Sequence, residues 1–351
     1  MNKIAGRSIQ ENTHLINALI KMGASKCKSL FVFNGDHFEG LLTIGNIQRA
    51  IIKNRSFSAP VSEILEKENK RYATVHDSID SIKTQMYHIG MECMPVIDDQ
   101  GNLVEAYFWD ELFGLDLKPI RSKIDIPVVI MAGGKGTRLK PITNVIPKPM
   151  IPIGQRTILE DILNQFEGIG CAKFYVSVNF KVDILKFYLE GLDKKYNIEF
   201  FQEEKPLGTI GSVSMLKGKI QTPFFVSNCD ILIEQDYRDV YDYHQNNSND
   251  LTIVTALKNY KIPYGVIESG EDGLLTEIKE KPDITYMINT GVYILNPGLI
   301  DEIPQGEFFH ITQLMEKVKS RGGRIGCFPV AEDAWHDMGE WPEYLKMINV
   351  R

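Results

Sequence analysis

A short apolar run at 128–131 leads directly into a loop that is rich in glycine and positive charge. The loop reads Ala132, Gly133, Gly134, Lys135, Gly136, Thr137 and Arg138. Glycines that follow a strand let backbone N–H groups approach an anion closely, while lysine and arginine supply positive charge. The pattern therefore predicts a buried strand followed by a loop that binds a chain of phosphates.

Two common phosphate-binding loops do not fit this stretch. A P-loop requires G-x-x-x-x-G-K-[ST], and here Lys135 lies between the glycines with no such octamer. A dinucleotide-binding G-x-G-x-x-G can begin at Gly134 and Gly136, but Leu139 occupies its third glycine position. The observed pattern is instead G-G-x-G-T-R-L-x-P, followed by P-K-P at 147–149.

This long, gapped pattern resembles the sugar-1-phosphate nucleotidyltransferases, which make nucleotide sugars from a nucleoside triphosphate and a sugar phosphate. The resemblance implies that Arg138 and Lys148 are catalytic residues that act on phosphates. It also implies nucleotide contacts for Ala132, Gly133, Gly134, Gly136 and Thr137. A plain glycine turn beside a solvated basic face is the alternative, but it would have to reproduce the glycines, cations and prolines in register by chance.

A carboxylate ends the apolar strand in FFVSNCDILI, at 224–233. An unpaired charge there is costly, whereas a bound Mg²⁺ would justify it. The family usually reads Gly-Asp here and binds the metal through the Asp, so the resemblance implies that Asp230 is a metal ligand, with Cys229 in place of the glycine. The family's W-x-D-x-G supplies Asp337 as the second ligand. A nucleophilic Cys229 and a helix-capping Asp337 are the alternatives.

Three short motifs follow Asp230 in the family's order, namely Y-G, E-K-P and N-T-G. The resemblance implies sugar contacts for Tyr264, Gly265, Glu280 and Asn289, and a contact between Lys281 and a phosphate. Each motif alone is weak because such steps are common at turns.

The segment QEEKPLGTIG at 202–211 resembles the family's base-recognition loop. The resemblance implies nucleotide contacts for Gln202, Leu207, Gly208 and Thr209. A glutamine side chain can both donate a hydrogen bond to a base and accept one from it. Ile210 replaces the family's alanine, and the residues alone do not choose guanine over uracil, thymine or cytosine. A plain turn into the next helix is the alternative.

The predicted chemistry follows from charge. A sugar-1-phosphate and the α-phosphate of a triphosphate repel each other unless cations intervene. Lys148 and Lys281 are expected to hold these phosphates, Mg²⁺ on Asp230 and Asp337 to bridge phosphate oxygens, and Arg138 to stabilise the departing pyrophosphate.

The composition limits the partners of the chain. The chain has 351 residues, of which 43% are hydrophobic and 24% are charged, and these fractions are typical of a globular protein. A net charge of −7 argues against a nucleic-acid partner. No signal-peptide core and no window of about eighteen apolar residues occurs, which predicts a cytoplasmic protein with no membrane partner. The five cysteines are never spaced C-x-x-C, so structural zinc is not indicated.

The first part of the chain repeats the order helix, strand, turn, strand, helix at a spacing of roughly sixty-five residues. This repeat resembles a tandem pair of CBS domains, which often bind adenosine nucleotides as regulators. Members that hold a ribose usually have Thr-x-x-Asp after the second strand, but here Thr43 is followed by Asn46. Binding of an adenosine nucleotide and a purely structural or dimer-forming role both remain open.

The rest of the chain alternates short apolar runs with amphipathic stretches, which predicts an α/β fold. We expect a Rossmann-like nucleotidyltransferase domain with a mostly parallel mixed sheet at 126–351, after a linker at 119–125 and an α+β CBS pair at 1–118 (about 1–60 and 61–118). Predicted strands are 128–131, 174–178, 199–202, 224–227, 251–256, 265–268 and 291–295. Predicted helices are 158–167, 182–189, 212–216 and 311–320.

A CBS pair ahead of such a transferase resembles the guanylyltransferases of bacterial legionaminic acid synthesis, which act on glucosamine-1-phosphate. We therefore expect a homo-oligomeric, Mg²⁺-dependent enzyme that uses GTP and glucosamine-1-phosphate. A uridylyl- or thymidylyltransferase is one alternative, and a regulatory nucleotide-binding CBS protein with an inactive transferase domain is another. A glycosyltransferase is disfavoured because its usual Asp-x-Asp is absent at 228–230.

Overall fold

A computed structural model describes residues 2–66, 71–114, 123–179 and 181–350. The chain divides into two compact units. The first unit contains Met1–Ser122 together with Asn259–Thr285, and the second contains Lys123–Lys258 together with Tyr286–Arg351. The predicted linker at 119–125 lies outside the described residues up to 122.

Helices and strands are distributed over both units. The α-helices of the described ranges are α1 (Asn2–Gly6), α2 (Leu15–Ala24), α3 (Ile44–Ile52), α4 (Ile79–Ile89), α5 (Trp109–Phe113), α6 (Ile158–Gly168), α7 (Val182–Gly191), α8 (Tyr237–Asn246), α9 (Ile311–Ser320) and α10 (Trp341–Val350). The strands are β1 (Ser8–Gln10), β2 (Ser29–Asn34), β3 (His37–Thr43), β4 (Ala73–Thr74), β5 (Cys93–Ile97), β6 (Leu103–Phe108), β7 (Val128–Met131), β8 (Pro152–Ile153), β9 (Arg156–Thr157), β10 (Lys173–Val178), β11 (Asn197–Gln202), β12 (Phe224–Asn228), β13 (Ile231–Ile233), β14 (Leu251–Lys261), β15 (Val266–Ser269), β16 (Leu275–Lys279), β17 (Asp283–Leu295), β18 (Ile325–Ala331) and β19 (Trp335–Asp337).

The first unit contains the same small sheet twice. Its strand orders are β1-β2-β3 and β4-β5-β6, and in each sheet the first pair is parallel and the second antiparallel. The register shifts at corresponding places in the two hairpins, between Val32 and Phe33 and between Val96 and Ile97. The repeat expected from the sequence is therefore present in the backbone.

The second unit is built around one mixed sheet. Its order within the described residues is β11-β10-β7-β12-β17-β14-β18, and β10–β11, β7–β10, β7–β12 and β14–β18 are parallel pairs. Strand β17 runs antiparallel to β12. This arrangement confirms the predicted α/β fold with a mostly parallel mixed sheet. Parallel strands that end at the same edge bring the loops after β7 and β12 together.

Local sequence explains where the helices of this unit begin. Thr157 caps α6, since its hydroxyl accepts from Glu160 N at 3.3 Å while the Glu160 carboxylate accepts from Thr157 N at 2.8 Å. This reciprocal pair satisfies N–H groups that a helix start leaves without partners. Among the buried side chains of α6, Phe166 packs against the sheet, with its ring centroid 5.0 Å from that of Phe225 in β12. Phe166 also stacks on Tyr237 of α8, with ring centroids 4.5 Å apart.

Most predicted elements are confirmed to within a few residues. The helix predicted at 212–216 is present as a 3-10 helix, Gly211–Leu216. Helix α8 and strand β18 have no counterpart among the predicted elements. Helix α8 buries Tyr237, Val240 and His244 at helical spacing, but most of its other residues are polar, so few apolar positions mark it in the sequence.

No helix within the described residues has the length and apolar character needed to cross a membrane.

His244 of α8 is buried in a polar network. Its Nδ1 lies 2.9 Å from Thr252 Oγ1, and its Nε2 lies 3.2 Å from Asn296 Oδ1. The amide nitrogen of Asn296 donates to the carbonyl of Asn249 at 3.0 Å, so the Asn296 oxygen faces the imidazole. This network assigns the hydrogen to Nε2 and leaves Nδ1 to accept from the Thr252 hydroxyl. Burial lowers the pKa of His244, and the neutral ring is favoured.

We predict that stability falls on the acid side because of His244. Its folded pKa is below its unfolded value of about 6.5, so its contribution is complete above that pH and is lost as the pH falls toward the folded value. Lowering the pH from about 7.5 to about 5.5 should therefore reduce the free energy of unfolding. His244→Gln should be roughly 1–2 kcal/mol less stable at the higher pH, through lost buried hydrogen bonds, and less dependent on pH.

Denaturant unfolding of the full chain at both pH values measures this effect. Equal pH dependence in His244→Gln and the wild type would contradict the prediction.

Candidate active site

The glycine loop after β7 is held against the segment that carries Lys148. Gly136 has a positive φ of 61°, and a Cβ atom there would lie 2.8 Å from Thr143 Cγ2 and 3.2 Å from Lys148 Cβ. The Thr143 hydroxyl donates to the Gly136 carbonyl at 2.8 Å. A glycine is needed at this position for both conformation and space.

Arg138 follows in the 3-10 helix Thr137–Leu139, in which Leu139 is fully buried. Its Nη1 donates to Glu340 Oε1 at 2.9 Å. The buried leucine fixes the backbone, and the exposed arginine side chain extends from it.

The two predicted metal ligands are brought together by a short antiparallel ribbon. Strand β13 pairs with β19, with Ile231 opposite Asp337, and Met338 N donates to the Asp230 carbonyl at 2.9 Å. A Cβ atom on Gly339 would lie 2.7 Å from Asp337 Oδ1 and 2.8 Å from Asp230 Oδ2. The same point is 3.1 Å from Arg138 Nη2. Both carboxylates and the guanidinium therefore converge around Gly339.

Charge is balanced within this cluster. The Lys148 amine donates to Asp230 Oδ2 in an ion pair whose side chains are only 11% and 9% exposed. Burial is the largest single influence and lowers the pKa of Lys148, but the negative groups around it, Asp230 first among them, together outweigh burial and keep the pKa above its ordinary value. Burial and the charge of Asp230 raise the pKa of Asp337. A second cation beside these carboxylates would relieve their repulsion.

The cluster fits Mg²⁺ bound by two protein carboxylates. Throughout the described ranges no group of three or more histidine, cysteine, aspartate or glutamate side chains is arranged to hold a metal. Mg²⁺ in proteins commonly uses one or two carboxylates and completes its shell with phosphate oxygens and water. Asp230 and Asp337 have that chemistry, and phosphate oxygens and water would complete the shell of the ion.

Cys229 is unsuited to act as a nucleophile. Its side chain is buried, and burial together with the charge of Asp230 raises the pKa of the thiol to about 12. The thiolate form needed for attack is therefore disfavoured.

The loop after β11 is held by a buried carboxylate that the sequence motifs do not identify. Glu203 accepts from the Ser177 hydroxyl at 2.6 Å and from Leu207 N at 3.1 Å. A Cβ atom on Gly133 would lie 2.9 Å from Glu203 Oε1. Glu203 thus contacts both loops predicted to bind the nucleotide. Glu203 follows the exposed Gln202 in a run of polar residues, so the sequence gave no sign that its carboxylate is buried.

Gly208 and Thr209 connect this loop to α9. A Cβ atom on Gly208 would lie 2.5 Å from the Phe309 carbonyl, and φ there is 83°. Thr209 Oγ1 accepts from Ile311 N at 2.9 Å, at the first residue of α9. The start of α9 is therefore adjacent to the predicted base-recognition loop.

The N-T-G motif forms a close contact with the end of β12. Gly291 has a φ of 88°, and a Cβ atom there would lie 2.4 Å from Asn228 Nδ2. The Asn289 side chain accepts from Gly291 N at 3.1 Å. The glycine lets β17 pass next to the loop that carries Asp230.

These elements surround one cavity of about 320 Å³. It is lined by Arg138, Thr209, Asn228, Asp230, Ile231, Asn289, Thr290, Gly291, Tyr293, His310, Ile311, Thr312, Trp335 and Asp337. Five of the predicted site residues are in this lining. His310 and Trp335 are cavity residues that the sequence motifs did not single out for a role, and the buried indole N–H of Trp335 has no hydrogen-bond partner.

The remaining predicted sugar and phosphate contacts belong to the first unit. Tyr264, Gly265, Glu280 and Lys281 lie in Asn259–Thr285. A Cβ atom on Gly265 would lie 3.1 Å from Glu280 Oε2, and Lys281 Nζ lies 3.8 Å from Glu280 Oε1. The structure brings Gly265, Glu280 and Lys281 close to one another. The contacts of all four residues with sugar and phosphate stay predictions.

Comparisons with known proteins identify the family of the chain. The family model described as "Nucleotidyl transferase" matches residues 127–350. The mannose-1-phosphate guanyltransferase of Pichia angusta is 35% identical over 184 residues, which cover 50% of each chain. That of Aspergillus oryzae is 29% identical over 226 residues, or 62% of each chain. The chain thus spans about half to three-fifths of the length of these curated relatives.

Among solved structures, HddC from Yersinia pseudotuberculosis covers 64% of this chain and 99% of its own, with a TM-score of 0.50 and 28% identity. A second structure of HddC, in complex with GMP-PN, has the same TM-score and coverage and 27% identity. A putative glucose-1-phosphate thymidylyltransferase from Bacillus anthracis has a TM-score of 0.51 at 18% identity and supports the fold alone.

Substitution of Gly339 should disrupt the candidate metal site. Gly339→Ala places a methyl group among Asp230, Asp337 and Arg138, which must move apart. We expect binding of Mn²⁺, a paramagnetic substitute for Mg²⁺, to weaken by roughly tenfold or more, by analogy with changes to the surroundings of metal ligands. Electron paramagnetic resonance titration in the presence of a nucleoside triphosphate measures the affinity for Mn²⁺.

Gly168→Ala is the matched control, because a Cβ atom on Gly168, at the end of α6 and outside the cavity lining, meets nothing within 4 Å and neither glycine has a positive φ. Equal Mn²⁺ affinity in the Gly339→Ala variant and the wild type would show that the metal site is elsewhere.

Proposed function

The chain belongs to the nucleotidyl transferase family, and on that premise we propose that it transfers a nucleotidyl group from a nucleoside triphosphate to a sugar-1-phosphate. The observation that carries the proposal is the convergence of Asp230, Asp337 and Arg138 around Gly339 in one cavity. A cluster that combines two carboxylates with cations suits a reaction between two phosphate groups, where charge must be balanced on both sides.

In the proposed reaction, a phosphate oxygen of the sugar-1-phosphate attacks the α-phosphorus of the triphosphate. The new oxygen–phosphorus bond replaces the bond to the bridging oxygen of the β-phosphate, and pyrophosphate leaves with the electron pair. No general base is required, since the attacking oxygen is already an anion. Catalysis then depends on positioning and on electrostatic stabilisation.

The chain's own residues divide this work. Asp230 and Asp337 would hold Mg²⁺, which would supply positive charge to the phosphate oxygens. Lys148 lies against Asp230 and holds the reacting phosphates, a role shared with Lys281. Arg138 stabilises negative charge on the departing pyrophosphate. Gly133, Gly134, Gly136 and the loop at 202–211 hold the nucleotide.

We further propose that GTP is the preferred triphosphate. The supporting findings are relatives named as mannose-1-phosphate guanyltransferases and a structural neighbour in complex with GMP-PN. For the acceptor we propose glucosamine-1-phosphate, which rests on the resemblance of the whole domain order to legionaminic acid guanylyltransferases.

Residues 1–118, in the first unit, are proposed to be a CBS pair that binds an adenosine nucleotide as a regulator. Their repeated three-strand pattern supports this assignment. Thr43 and Asn46 are engaged with each other at the start of α3, where Asn46 N donates to Thr43 Oγ1 at 3.3 Å. A structural or dimer-forming role is the alternative for this unit. We also propose that the whole protein forms a homo-oligomer.

A substrate panel tests the proposed reaction. The protein would be incubated with Mg²⁺, each of five nucleoside triphosphates and several hexose-1-phosphates, and pyrophosphate release followed. We expect the fastest release with GTP and glucosamine-1-phosphate. Release only with UTP or dTTP would overturn the choice of guanine, and no release from any pair would favour a regulatory nucleotide-binding protein.

Removal of single charges should lower turnover strongly. Arg138→Ala and Asp230→Ala should each reduce kcat by roughly 10² or more, as loss of one preorganised charge stabiliser does in other enzymes. Arg321→Ala is a control, because Arg321 pairs with Glu302 at 2.9 Å and does not line the cavity. Wild-type turnover in Asp230→Ala would exclude Asp230 as a metal ligand.

A further inference from the structure

Arg138 is paired with a carboxylate at the edge of the cavity. Its Nη1 lies 2.9 Å from Glu340 Oε1, while its Nη2 lies 3.1 Å from the position of a Cβ atom on Gly339. That position is also within 2.8 Å of oxygens of Asp230 and Asp337. One end of the guanidinium therefore faces the proposed metal site, and the other end is bound to Glu340.

The ion pair between Arg138 and Glu340 is weakly held. The two side chains are 57% and 56% exposed, and exposed pairs contribute little to stability because water and salt screen them. A phosphate competes well with a single carboxylate for arginine, since it can accept paired charge-assisted hydrogen bonds. An ion pair of this kind can be replaced by a contact between the arginine and a phosphate, and it does not hold Arg138 permanently in one position.

The backbone on both sides of the pair is anchored independently. Trp341 Nε1 donates to the Lys140 carbonyl at 3.1 Å, and Tyr344 N donates to the Glu340 carbonyl at 3.0 Å as α10 begins. The Tyr344 hydroxyl donates to the Pro152 carbonyl at 3.0 Å. Breaking the ion pair therefore requires movement of two side chains only.

We propose that Glu340 is an exchangeable counter-ion of Arg138, which the phosphates of the triphosphate displace and which returns to Arg138 when pyrophosphate leaves. This inference rests on the proposed function. Glu340 acts through Arg138 and is a positioning residue, not a catalytic one. Its carboxylate competes with pyrophosphate, so it weakens binding of triphosphate and product and favours product release.

The test compares Glu340→Gln with Glu343→Gln. Glu343 lies on the same helix and pairs with Lys346 at 2.6 Å, so its substitution removes the same charge without affecting Arg138. We expect Glu340→Gln to lower both the KM for the triphosphate and the Kd for inorganic pyrophosphate by about two- to fivefold, the range of an exposed ion pair. The KM for the sugar phosphate should not change, and Glu343→Gln should behave as wild type.

Kinetics and calorimetry with inorganic pyrophosphate measure these constants. Unchanged or higher constants in Glu340→Gln would overturn the inference, because Glu340 would then be inert or would brace Arg138. Equal changes in both variants would overturn it as well, since the effect would be a general one of net charge. Absence of turnover in the wild type would instead refute the proposed reaction, and pyrophosphate affinity would still test Glu340.

Discussion

The close approach of two carboxylates, Asp230 and Asp337, is the constraint on which the site depends. Two like charges that are partly removed from water raise each other's energy, and the raised pKa of Asp337 reflects this. The ion pair with Lys148 offsets part of the cost, and the guanidinium of Arg138 reaches the same cluster at Gly339. Such an arrangement favours binding of a further cation together with its anionic ligands.

A small amount of backbone structure holds the carboxylates in place. The ribbon of β13 and β19 aligns Ile231 with Asp337, so residues more than a hundred positions apart become neighbours. Gly339 then leaves space that any other residue would fill. On the opposite side, Gly136 lets the glycine loop approach Lys148. Backbone pairing and missing side chains thus define the shape of the site, and a few charged groups give it function.

Sequence patterns could predict the parts of this structure that depend on local chemistry. Buried strands such as β7 and β12 and strongly amphipathic helices such as α9 follow from periodicity. The motifs also identified Arg138, Asp230 and Asp337, which line one cavity. Helix α8 was missed because few of its residues are apolar, and because the hydrogen bonds of its buried His244 join residues outside the helix, Thr252 and Asn296, which leaves no local pattern.

The same limit explains what was missed at the site. Glu203 reads as one more solvated charge, and only the fold places it under Gly133 and beside Leu207. The motifs with Tyr264, Glu280 and Lys281 could be assigned roles only by resemblance. These residues belong to the same compact unit as the N-terminal residues. Strand β14, which precedes them, starts in the second unit, and strand β17, which follows them, ends in it. Order along the sequence does not determine to which compact unit a segment belongs.

The two ion pairs at the cavity differ in a way that bears on how such a site works. Lys148 and Asp230 are buried, and loss of either partner would leave a charge without compensation in a poorly solvated place. Arg138 and Glu340 are exposed, and water compensates each of them when they separate. The buried pair therefore keeps a fixed arrangement at the base of the cavity, while the exposed pair can reorganise as phosphates arrive and leave. A site that must bind a highly charged substrate and release an equally charged product needs both kinds of contact.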